Sequence, residues 1–488
     1  MSEVKKLVGF LFENNYLVTP DLLKSVPSDF YFDDFYQRVG KDLVPQKVKV
    51  VFDKSLLFDK EVLNIKTKLK VVENYDKEPC KVEVKDFVTY YKNRYTQLKN
   101  ILLQRPELQD CVSINRALRK NPDEPASIIG FIYDISVTKS GHVMLELEDP
   151  TGKIKVLLSN KNKDLMELGK ELIHDEVIGI SGNCGKEIVF ARELYMPDIT
   201  LQEYKKCKDD VNVVFAADMH IGSDLFLPED FGRFIDWLNC DYGTEEQRAM
   251  AKKVKYLFFA GDLVDGVGIY PGQDAELVIK DIVEQYDLCY DFISKIRKDI
   301  KIVICGGNHD ALRLSEPQPC LNRDFAKKLY SLPNVYMVTN PSLINIHAIE
   351  GFAGFDILLY HGMSFDYYVN NVDFLRNNGG YDRADLMMEF LLKKRHLGPT
   401  HIAGLTMPDT EYDPLVIEKI PDFFVTGHVH HDVVISNYKN VCLIGCSSFQ
   451  NMSGFQEKMG HENIVPSKIP VVNLKTRKIN VLDFSETN

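Results

Sequence analysis

Five segments in the second half of the chain share a near-continuous apolar run that ends abruptly in polar residues. These segments are VNVVFAAD (211–218), VKYLFFAGD (254–262), KIVICGGNHD (301–310), FDILLYHG (355–362) and FFVTGHVH (423–430). Such continuous runs are typical of strands that are buried on both faces of a layered α/β domain. We therefore predict a layered α/β/α domain over residues 206–488, with functional side chains beyond the carboxyl ends of its strands.

A segment with shorter, more evenly spaced strand patterns precedes this domain. From Ala126 onward, three strand-like pieces are followed by the helical pattern DLMELGKEL and by two further strand-like pieces, with turns such as DPTG (149–152) between them. Three strands, a helix and two strands is the order of an OB-fold barrel. We predict an OB-like β-barrel over residues 126–205, and another kind of small β-barrel is the alternative.

The first quarter of the chain is less regular. Residues 3–14 place apolar side chains at helical spacing, and TPD (19–21) offers an N-cap and a first-turn proline for a second helix. These signals predict a small helical unit over residues 1–45. Residues 46–125 mix short strand-like pieces with charged stretches and carry a helical pattern at 86–104. We interpret them as a connecting segment of uncertain fold.

Composition and charge narrow the class of protein. Among 488 residues, 59 Lys and Arg stand against 71 Asp and Glu, which gives a formal net charge of −12. This balance excludes a protein whose whole surface binds nucleic acid, but it leaves room for a local basic cleft. We interpret the cations within 116–120, 252–255 and 393–395 as solvated surface. Ten cysteines without a CxxC pair, and no apolar stretch long enough to cross a membrane, predict a reduced, soluble, cytoplasmic protein.

The polar residues that follow the five apolar runs include five of the twelve histidines. Together the run ends supply Asp218, His220, Asp262, Asn308, His309, His361, His428 and His430. One histidine after a strand is more often a packing or turn residue than a ligand, but five such endings in one domain predict a metal site. Imidazole, carboxylate and amide ligands without thiolate suit Mn²⁺, Fe²⁺ or Zn²⁺.

The number of these side chains suits two ions that share one carboxylate. Asp262 is the natural bridge, because a carboxylate offers two charged oxygens and this one follows the middle run of the set. Asn308 would supply a neutral oxygen that leaves positive charge for an anionic phosphate. His309 would donate a hydrogen bond or a proton to the substrate. Two interpretations of Asp310 stay open, namely that it orients His309 or that it lies at a helix N-terminus.

The motifs Asp-x-His, Gly-Asp-x-x-Asp-Gly, Gly-Asn-His-Asp, His-Gly and Gly-His-x-His occur here in that order. In this combination the chain resembles the calcineurin-like metallophosphoesterase superfamily over about residues 210–450. The resemblance implies one metal held by Asp218, His220, Asp262 and His430. It implies a second metal held by Asp262, Asn308, His361 and His428. It also implies that His309 is the catalytic histidine.

A narrower resemblance covers nearly the whole chain. The segments GDLVDGVGIYPGQDAEL (261–277) and HGMSFD (361–366), together with the preceding barrel, are similar to the small subunits of archaeal family D DNA polymerases. This resemblance implies a two-metal 3′–5′ DNA exonuclease, with Mn²⁺ as the expected metal. Such a subunit proofreads single-stranded or mismatched DNA 3′ ends for a separate large catalytic subunit.

Departures from related families bear on this interpretation. Phosphoprotein phosphatases of the superfamily carry an Arg after the second Asp of their GDxxD motif, whereas Gly266 stands there in this chain, which disfavours a phosphoprotein substrate. The B subunits of eukaryotic replicative polymerases have lost metal ligands, whereas every ligand position is filled here. A non-catalytic assembly subunit with structural metals and a small-molecule phosphoesterase are the alternatives. For the barrel, contact with a protein partner is favoured over binding of single strands.

Two groups of residues near the motifs receive structural interpretations. His431 and Asp432 follow the Gly-His-x-His motif and are interpreted as a surface turn rather than as support for the metal site. Phe365, Tyr367 and Tyr368 are interpreted as core residues rather than as a surface that stacks an unpaired base.

Overall fold

The computed structural model describes residues 3–20, 23, 26, 32–38, 50–51, 67–75, 77, 81–459 and 463–485. The described residues of its N-terminal part include the helices α1 (Glu3–Glu13) and α2 (Phe32–Arg38) and the paired short strands β1 (Tyr16–Leu17) and β2 (Val50–Val51). Leu7, Leu11 and Phe35 are fully buried between the helices and form a small separate core. The helical spacing of residues 3–14 is thus confirmed, whereas the second helix start predicted at 19–21 lies partly outside the described residues.

The connecting segment contains a strand and a long helix that both belong to larger units. Its elements are β3 (Leu69–Asn74), α3 (Val84–Leu102) and α4 (Ile114–Leu118). Strand β3 pairs antiparallel with residues 342–346, far along the chain, so it is part of a sheet of the C-terminal domain. Helix α3 begins in a capping box made by Glu83 and Asp86, which satisfies backbone N–H groups of its first turn.

A buried ion pair fixes helix α3 to the C-terminal domain. Arg94 is 1% exposed, and its Nε donates to Oδ2 of Asp413 at 2.6 Å. The other two guanidinium nitrogens also donate hydrogen bonds, Nη1 to the carbonyl oxygen of Pro399 and Nη2 to the hydroxyl of Tyr90. His396 also lies against Asp413, at 2.8 Å. Because every partner is hydrogen-bonded, the two opposite charges are accommodated in the interior.

Removing the cation of this pair is expected to destabilise the protein strongly. Arg94→Met would leave the carboxylate of Asp413 buried without its counter-charge, and we expect a loss of about 3–5 kcal/mol in the free energy of unfolding. The exposed Lys92 on the same helix provides a matched control, and Lys92→Met should change it by less than about 0.5 kcal/mol. Urea denaturation of the two variants measures the difference, and equal effects would refute the anchoring role of Arg94.

The segment after helix α4 forms a closed five-stranded barrel. Its elements are β4 (Pro125–Val137), β5 (Val143–Asp149), β6 (Gly152–Leu158), α5 (Lys163–Lys170), β7 (Val177–Cys184) and β8 (Ile188–Tyr195). The strands close in the order β4-β5-β6-β8-β7. Alternate residues of β5, including Leu145 and Leu147, point into the barrel and are fully buried. The predicted order of three strands, a helix and two strands is confirmed.

The C-terminal domain contains two six-stranded sheets. Its strands are β9 (Asn212–Ala216), β10 (Val254–Ala260), β11 (Lys301–Cys305), β12 (Val335–Met337), β13 (Ser342–Ile346), β14 (Phe355–Leu359), β15 (Phe423–Thr426), β16 (Val434–Tyr438), β17 (Val441–Gly445), β18 (Lys468–Asn473) and β19 (Ile479–Asp483). The first sheet has the order β12-β11-β10-β9-β18-β19, and the second has the order β16-β17-β15-β14-β13-β3. Phe215 and Phe258 of the first sheet pack against Phe423 and Ile357 of the second, so the sheets lie face to face.

Helices cover the outer faces of both sheets. They are α6 (Pro228–Leu238), α7 (Glu245–Lys252), α8 (Ile282–Ile293), α9 (Phe365–Asn371), α10 (Asp373–Asn377), α11 (Ala384–Lys394) and α12 (Gly454–Met459). Short 3₁₀ turns lie at Pro106–Leu108, Gln273–Ala275, Leu329–Ser331, Gly380–Arg383 and His401–Ala403. Trp237 of α6 packs on the first sheet, and Met388 of α11 packs on the second. The predicted layered α/β architecture is confirmed, and its β layer is a pair of sheets.

Two groups of cations that the sequence predicts to be solvated, within 252–255 and 393–395, contain buried members. Lys394 is 1% exposed and pairs with Glu176 at 2.6 Å, which joins helix α11 to the barrel. Lys255 is also buried and pairs with Asp299 at 2.7 Å. The interpretation of these two lysines as surface residues is therefore wrong, as it is for Arg395, which is 5% exposed and donates to the carbonyl oxygen of Ile417. Among the described residues, no helix combines the length and the apolar character needed to cross a membrane.

Candidate metal centre

The ends of five strands, drawn from both sheets, meet at one edge of the sandwich. Asp218 and His220 follow β9, Asp262 follows β10, Asn308 and His309 follow β11, His361 follows β14, and His428 and His430 follow β15. Strands β9, β10 and β11 are parallel neighbours in the first sheet, and β14 and β15 are parallel neighbours in the second. Because parallel strands end at the same edge, both sheets deliver their polar residues to one place.

Many of these residues have an unusual backbone conformation. The φ angle is positive at Asp218 (56°), His220 (51°), Asp262 (49°), His428 (75°) and His430 (60°). Non-glycine residues rarely adopt this left-handed region, and each instance costs on the order of 1–3 kcal/mol. Such strain persists where the surrounding fold holds it, and it is concentrated at functional sites.

One group of potential ligands consists of Asp218, His220 and His430, whose donor atoms lie within 4.8 Å of one another. Nε2 of His220 lies 3.0 Å from Nε2 of His430, and Nε2 of His430 lies 3.5 Å from Oδ1 of Asp218. This Oδ1 is buried and accepts no hydrogen bond. A buried carboxylate oxygen without a hydrogen-bond donor, facing two imidazole nitrogens, fits a divalent cation.

A second group consists of Asp262, His361 and His428, again with donor atoms within 4.8 Å. Nδ1 of His361 donates to the carbonyl oxygen of Ala260 at 2.8 Å, which leaves Nε2 unprotonated in the neutral ring. That Nε2 lies 2.9 Å from Oδ1 of Asn308 and 3.2 Å from Oδ2 of Asp262. The structure thus brings the predicted amide ligand Asn308 to the same group.

Asp262 lies between the two groups. Its Oδ2 is 3.6 Å from Nε2 of His220 in the first group and 3.2 Å from Nε2 of His361 in the second. Burial favours the neutral carboxyl, but the imidazoles of His361 and His309 hold the pKa of Asp262 well below its usual range. Burial disfavours the charged form of His361, but the neighbouring carboxylate of Asp262 raises the pKa of His361 to about 10. The arrangement has the donor chemistry of two cation sites that share one carboxylate.

Glycines allow the backbone to approach these side chains closely. A Cβ at Gly307 would lie 2.2 Å from Oδ1 of Asp262, and a Cβ at Gly427 would lie 2.5 Å from Oδ2 of Asp218. A Cβ at Gly266 would lie 2.2 Å from the carbonyl oxygen of His309, and its φ is +74°. An arginine at position 266 would therefore displace His309.

His309 lies beside the two groups, and one of its ring nitrogens comes within 4.8 Å of donor atoms of both His220 and Asp262. Its Nδ1 donates to the carbonyl oxygen of Asp265 at 2.9 Å, and its ring meets that of His220 edge to face at 4.6 Å between centroids. Burial lowers the pKa of His309. Asp310 does not orient it: this buried carboxyl accepts from Gly307 N and the hydroxyl of Tyr286. The suggestion that Asp310 holds the tautomer of His309 is therefore wrong, and a backbone carbonyl has that role.

Asp265 is a supporting residue that the sequence reasoning missed. Its Oδ1 accepts from Nδ1 of His220 at 3.0 Å, which directs Nε2 of His220 toward the first group. Gln273 and Gln450 donate to the same carboxylate at 2.7 and 3.2 Å and hold it in place. A signal was present in the sequence, because Asp265 is the second Asp of the motif GDLVDG. No role was predicted for it. His428 has a similar neighbour, because its Nε2 lies 3.1 Å from Oδ2 of Asp366.

Loss of the Asp265 acceptor is expected to weaken metal binding. Asp265→Ala removes the partner that orients His220, and such changes typically cost 10–100-fold in metal affinity, roughly. Asp265→Asn keeps an oxygen acceptor and should lose less. Calorimetric titration of Mn²⁺ into metal-free protein measures both. The exposed neighbour Asp274 supplies the control Asp274→Asn, which should bind like the wild type, and equal affinity for Asp265→Ala would refute the positioning role.

The structure also decides the two remaining interpretations near the motifs. Phe365 and Tyr368 are fully buried in the core beside the second sheet, so their assignment to the core is confirmed. His431 is 4% exposed, and its Nδ1 lies 2.7 Å from Oδ1 of Asp382. The interpretation as a surface turn is therefore wrong for His431, whereas it is confirmed for Asp432, which is exposed.

Comparison with known proteins places this geometry in context. A family model described as calcineurin-like phosphoesterase matches residues 211–432. The DNA polymerase II small subunit of Methanothermobacter thermautotrophicus is 41% identical over 405 residues, which are 83% of this chain and 80% of that protein. The subunit of the same name from Pyrococcus furiosus is 35% identical over 445 residues, 90% of this chain and 70% of that protein. Asparaginyl-tRNA synthetase from Pyrococcus horikoshii aligns with 17% of this chain and 22% of its own at 14% identity and a TM-score of 0.16, too low to bear on function.

Proposed function

Because the chain belongs to the family of archaeal DNA polymerase II small subunits and carries a calcineurin-like phosphoesterase domain, we propose that it is a metal-dependent 3′–5′ exodeoxyribonuclease. In this proposal it acts as the proofreading subunit of a DNA polymerase and hydrolyses single-stranded or mismatched 3′ ends. The observation that carries the proposal is the cluster of His and Asp side chains in which Asp262 lies within reach of both His220 and His361. A non-catalytic assembly subunit would have no need to keep the potential metal ligands of both groups.

We assign the seven proposed ligands to two ions, one in each group. One ion would be held by Asp218, His220, Asp262 and His430, and the other by Asp262, Asn308, His361 and His428. Two divalent ions, which we propose to be Mn²⁺, supply Lewis-acid stabilisation of a phosphate and an activated water when bound at such a site. Only two of the seven ligands are carboxylates, so they do not neutralise the ions, and the site attracts the anionic backbone of DNA.

His309 is assigned to the oxygen that leaves. Its Nδ1–H is committed to the carbonyl of Asp265, which leaves Nε2 as the nitrogen that exchanges a proton with the substrate. In hydrolysis from a 3′ end, the departing atom is the 3′ oxygen of the strand that remains. A proton or hydrogen bond from His309 offsets the charge that develops on this oxygen in the transition state.

Two partners follow from the proposal. The relatives are named as small subunits of a polymerase, and we propose that a large catalytic subunit binds this chain, with the barrel of residues 126–205 in contact with it. The second partner is the DNA end. A mispaired terminus unpairs at lower cost than a paired one, so it reaches the site as a single strand more often, and this difference supplies the selectivity of proofreading.

Comparison of substrates tests the proposed activity. In the presence of Mn²⁺ the chain is expected to hydrolyse single-stranded DNA and to leave p-nitrophenyl phosphate, a generic phosphomonoester, essentially intact. Turnover of the monoester without turnover of DNA would instead indicate a small-molecule phosphoesterase. Absence of turnover on both, even with the large subunit added, would indicate an assembly subunit.

A further inference from the structure

A cleft of about 950 Å³ opens beside the metal centre. Asn308 and His309 form the end of the cleft that adjoins the ligand groups, and the loop Gly266–Ile269 forms one wall. Its volume is at the upper end of the range of ligand-binding clefts in proteins. Because His309 lines both the centre and the cleft, a substrate that reaches His309 can continue into the cleft.

The cleft offers exposed apolar side chains and cations. Val267, Ile269 and Leu314 are 49%, 37% and 44% exposed and line it. Arg323 also lines the cleft, with its guanidinium 4.3 Å from the centre of the Tyr330 ring. Apolar side chains and guanidinium planes pack against the faces of unpaired bases, as aromatic rings do, and Arg also pairs with phosphate.

Few carboxylates line the cleft, although the chain as a whole is acidic. The chain has a formal net charge of −12, yet the carboxyl that lines the cleft is Asp310, which is only 2% exposed. Its oxygens accept hydrogen bonds from the backbone N–H of Gly307 and from Tyr286. Arg313 adds a second cation, held through the carbonyl of Pro317 at 2.8 Å. The cleft therefore suits an anionic ligand with apolar faces.

We propose that this cleft binds, in unpaired form, the nucleotides that precede the scissile phosphate on the strand that is being shortened; the inference rests on the proposed exonuclease function. Hydrolysis joins the oxygen of water to phosphorus and breaks the bond to the 3′ oxygen, which takes up a proton and stays on the shortened strand. The released nucleotide keeps the phosphate. Since His309 serves that 3′ oxygen, the retained strand extends on the His309 side of the centre, where the cleft lies.

The character of the lining favours a single strand over a duplex. Base faces are covered by stacked neighbours inside a duplex, so they meet Leu314, Ile269 or the Arg323 guanidinium only after unstacking. The cleft would thus add binding free energy for frayed ends alone. Selection of mismatched termini would then depend on binding in this cleft as well as on the lower cost of unpairing a mismatched end.

Substitutions at the exposed cleft residues test the inference. Leu314→Asp and Arg323→Glu are each expected to raise KM for a single-stranded oligonucleotide about tenfold, with kcat within about twofold. Turnover of bis(p-nitrophenyl) phosphate, a diester too small to reach the cleft, should stay unchanged. Leu201→Asp and Arg248→Glu are controls at exposed positions outside the lining and should behave like the wild type.

Binding measured without turnover separates this inference from the proposed function. Fluorescence anisotropy of a labelled oligonucleotide in EDTA should show about tenfold weaker binding to both cleft variants than to the wild type and the controls. An unchanged Kd in both variants would overturn the cleft assignment, whatever the activity. Failure of the wild type to hydrolyse either substrate, with the expected loss of binding in the cleft variants, would overturn the exonuclease function and leave the cleft as a single-strand site.

Discussion

Asp262→Asn is expected to lower kcat/KM for single-stranded DNA by more than about 10³-fold, because the stabilisation supplied by bound ions amounts to several kcal/mol. The carboxylate of Asp262 lies 3.6 Å from His220 and 3.2 Å from His361, so its loss affects both ligand groups at once. Asparagine is suited to the test because it tolerates the left-handed backbone at this position, where φ is 49°. The variant should therefore keep the fold while it loses the charge that we propose to bridge the two ions.

Metal content and turnover together measure this effect. Mass spectrometry of Mn²⁺-reconstituted protein should find two ions per wild-type chain and fewer in Asp262→Asn. The control Asp274→Asn, an exposed carboxylate on the same loop region, should match the wild type in both respects. Full metal content with wild-type turnover in Asp262→Asn would show that this carboxylate does not bridge.

His309→Ala is expected to give the second large effect, with a different signature. Loss of the proton or hydrogen bond at the departing oxygen should reduce kcat by about 10²–10⁴-fold. Metal content should stay at the wild-type value, because His309 is not among the seven proposed ligands and its Nδ1 is bound to the Asp265 carbonyl.

The two variants thus separate catalysis from metal binding. Single-turnover kinetics at saturating DNA measures the chemical step, and His174→Ala, at an exposed barrel histidine, is the matched control. A fall in bound metal for His309→Ala would indicate that this histidine is a ligand. Unchanged kcat would remove it from the chemistry.

The strand ends could be predicted from the sequence because both strand burial and the position of the polar residues are local features. Each apolar run from 211–218 to 423–430 forms a strand, and each is followed by the polar residues that the structure brings together. The division into two sheets could not be predicted in the same way. It depends on pairings between distant segments, such as β3 with β13, which leave no periodic signal.

The missed residues also depend on long-range contacts. Lys394 and Arg94 look like ordinary surface cations in sequence, and they are buried only because Glu176 and Asp413 meet them from other parts of the chain. Asp265 lies inside the Gly-Asp-x-x-Asp-Gly motif, but its role depends on the direction of the His220 ring, which the sequence pattern alone does not give. The positive φ values of the candidate ligands likewise follow from the assembled site.

Degradation of a 3′-mismatched primer tests the central claim most directly. A primer labelled at its 5′ end, annealed to a template and incubated with the full chain and Mn²⁺, is predicted to shorten from the 3′ end one nucleotide at a time. The ladder should form faster for the mismatched than for the paired terminus and should vanish with EDTA. An intact primer, with and without the large subunit, or release of the 5′ label as a mononucleotide, would contradict the account.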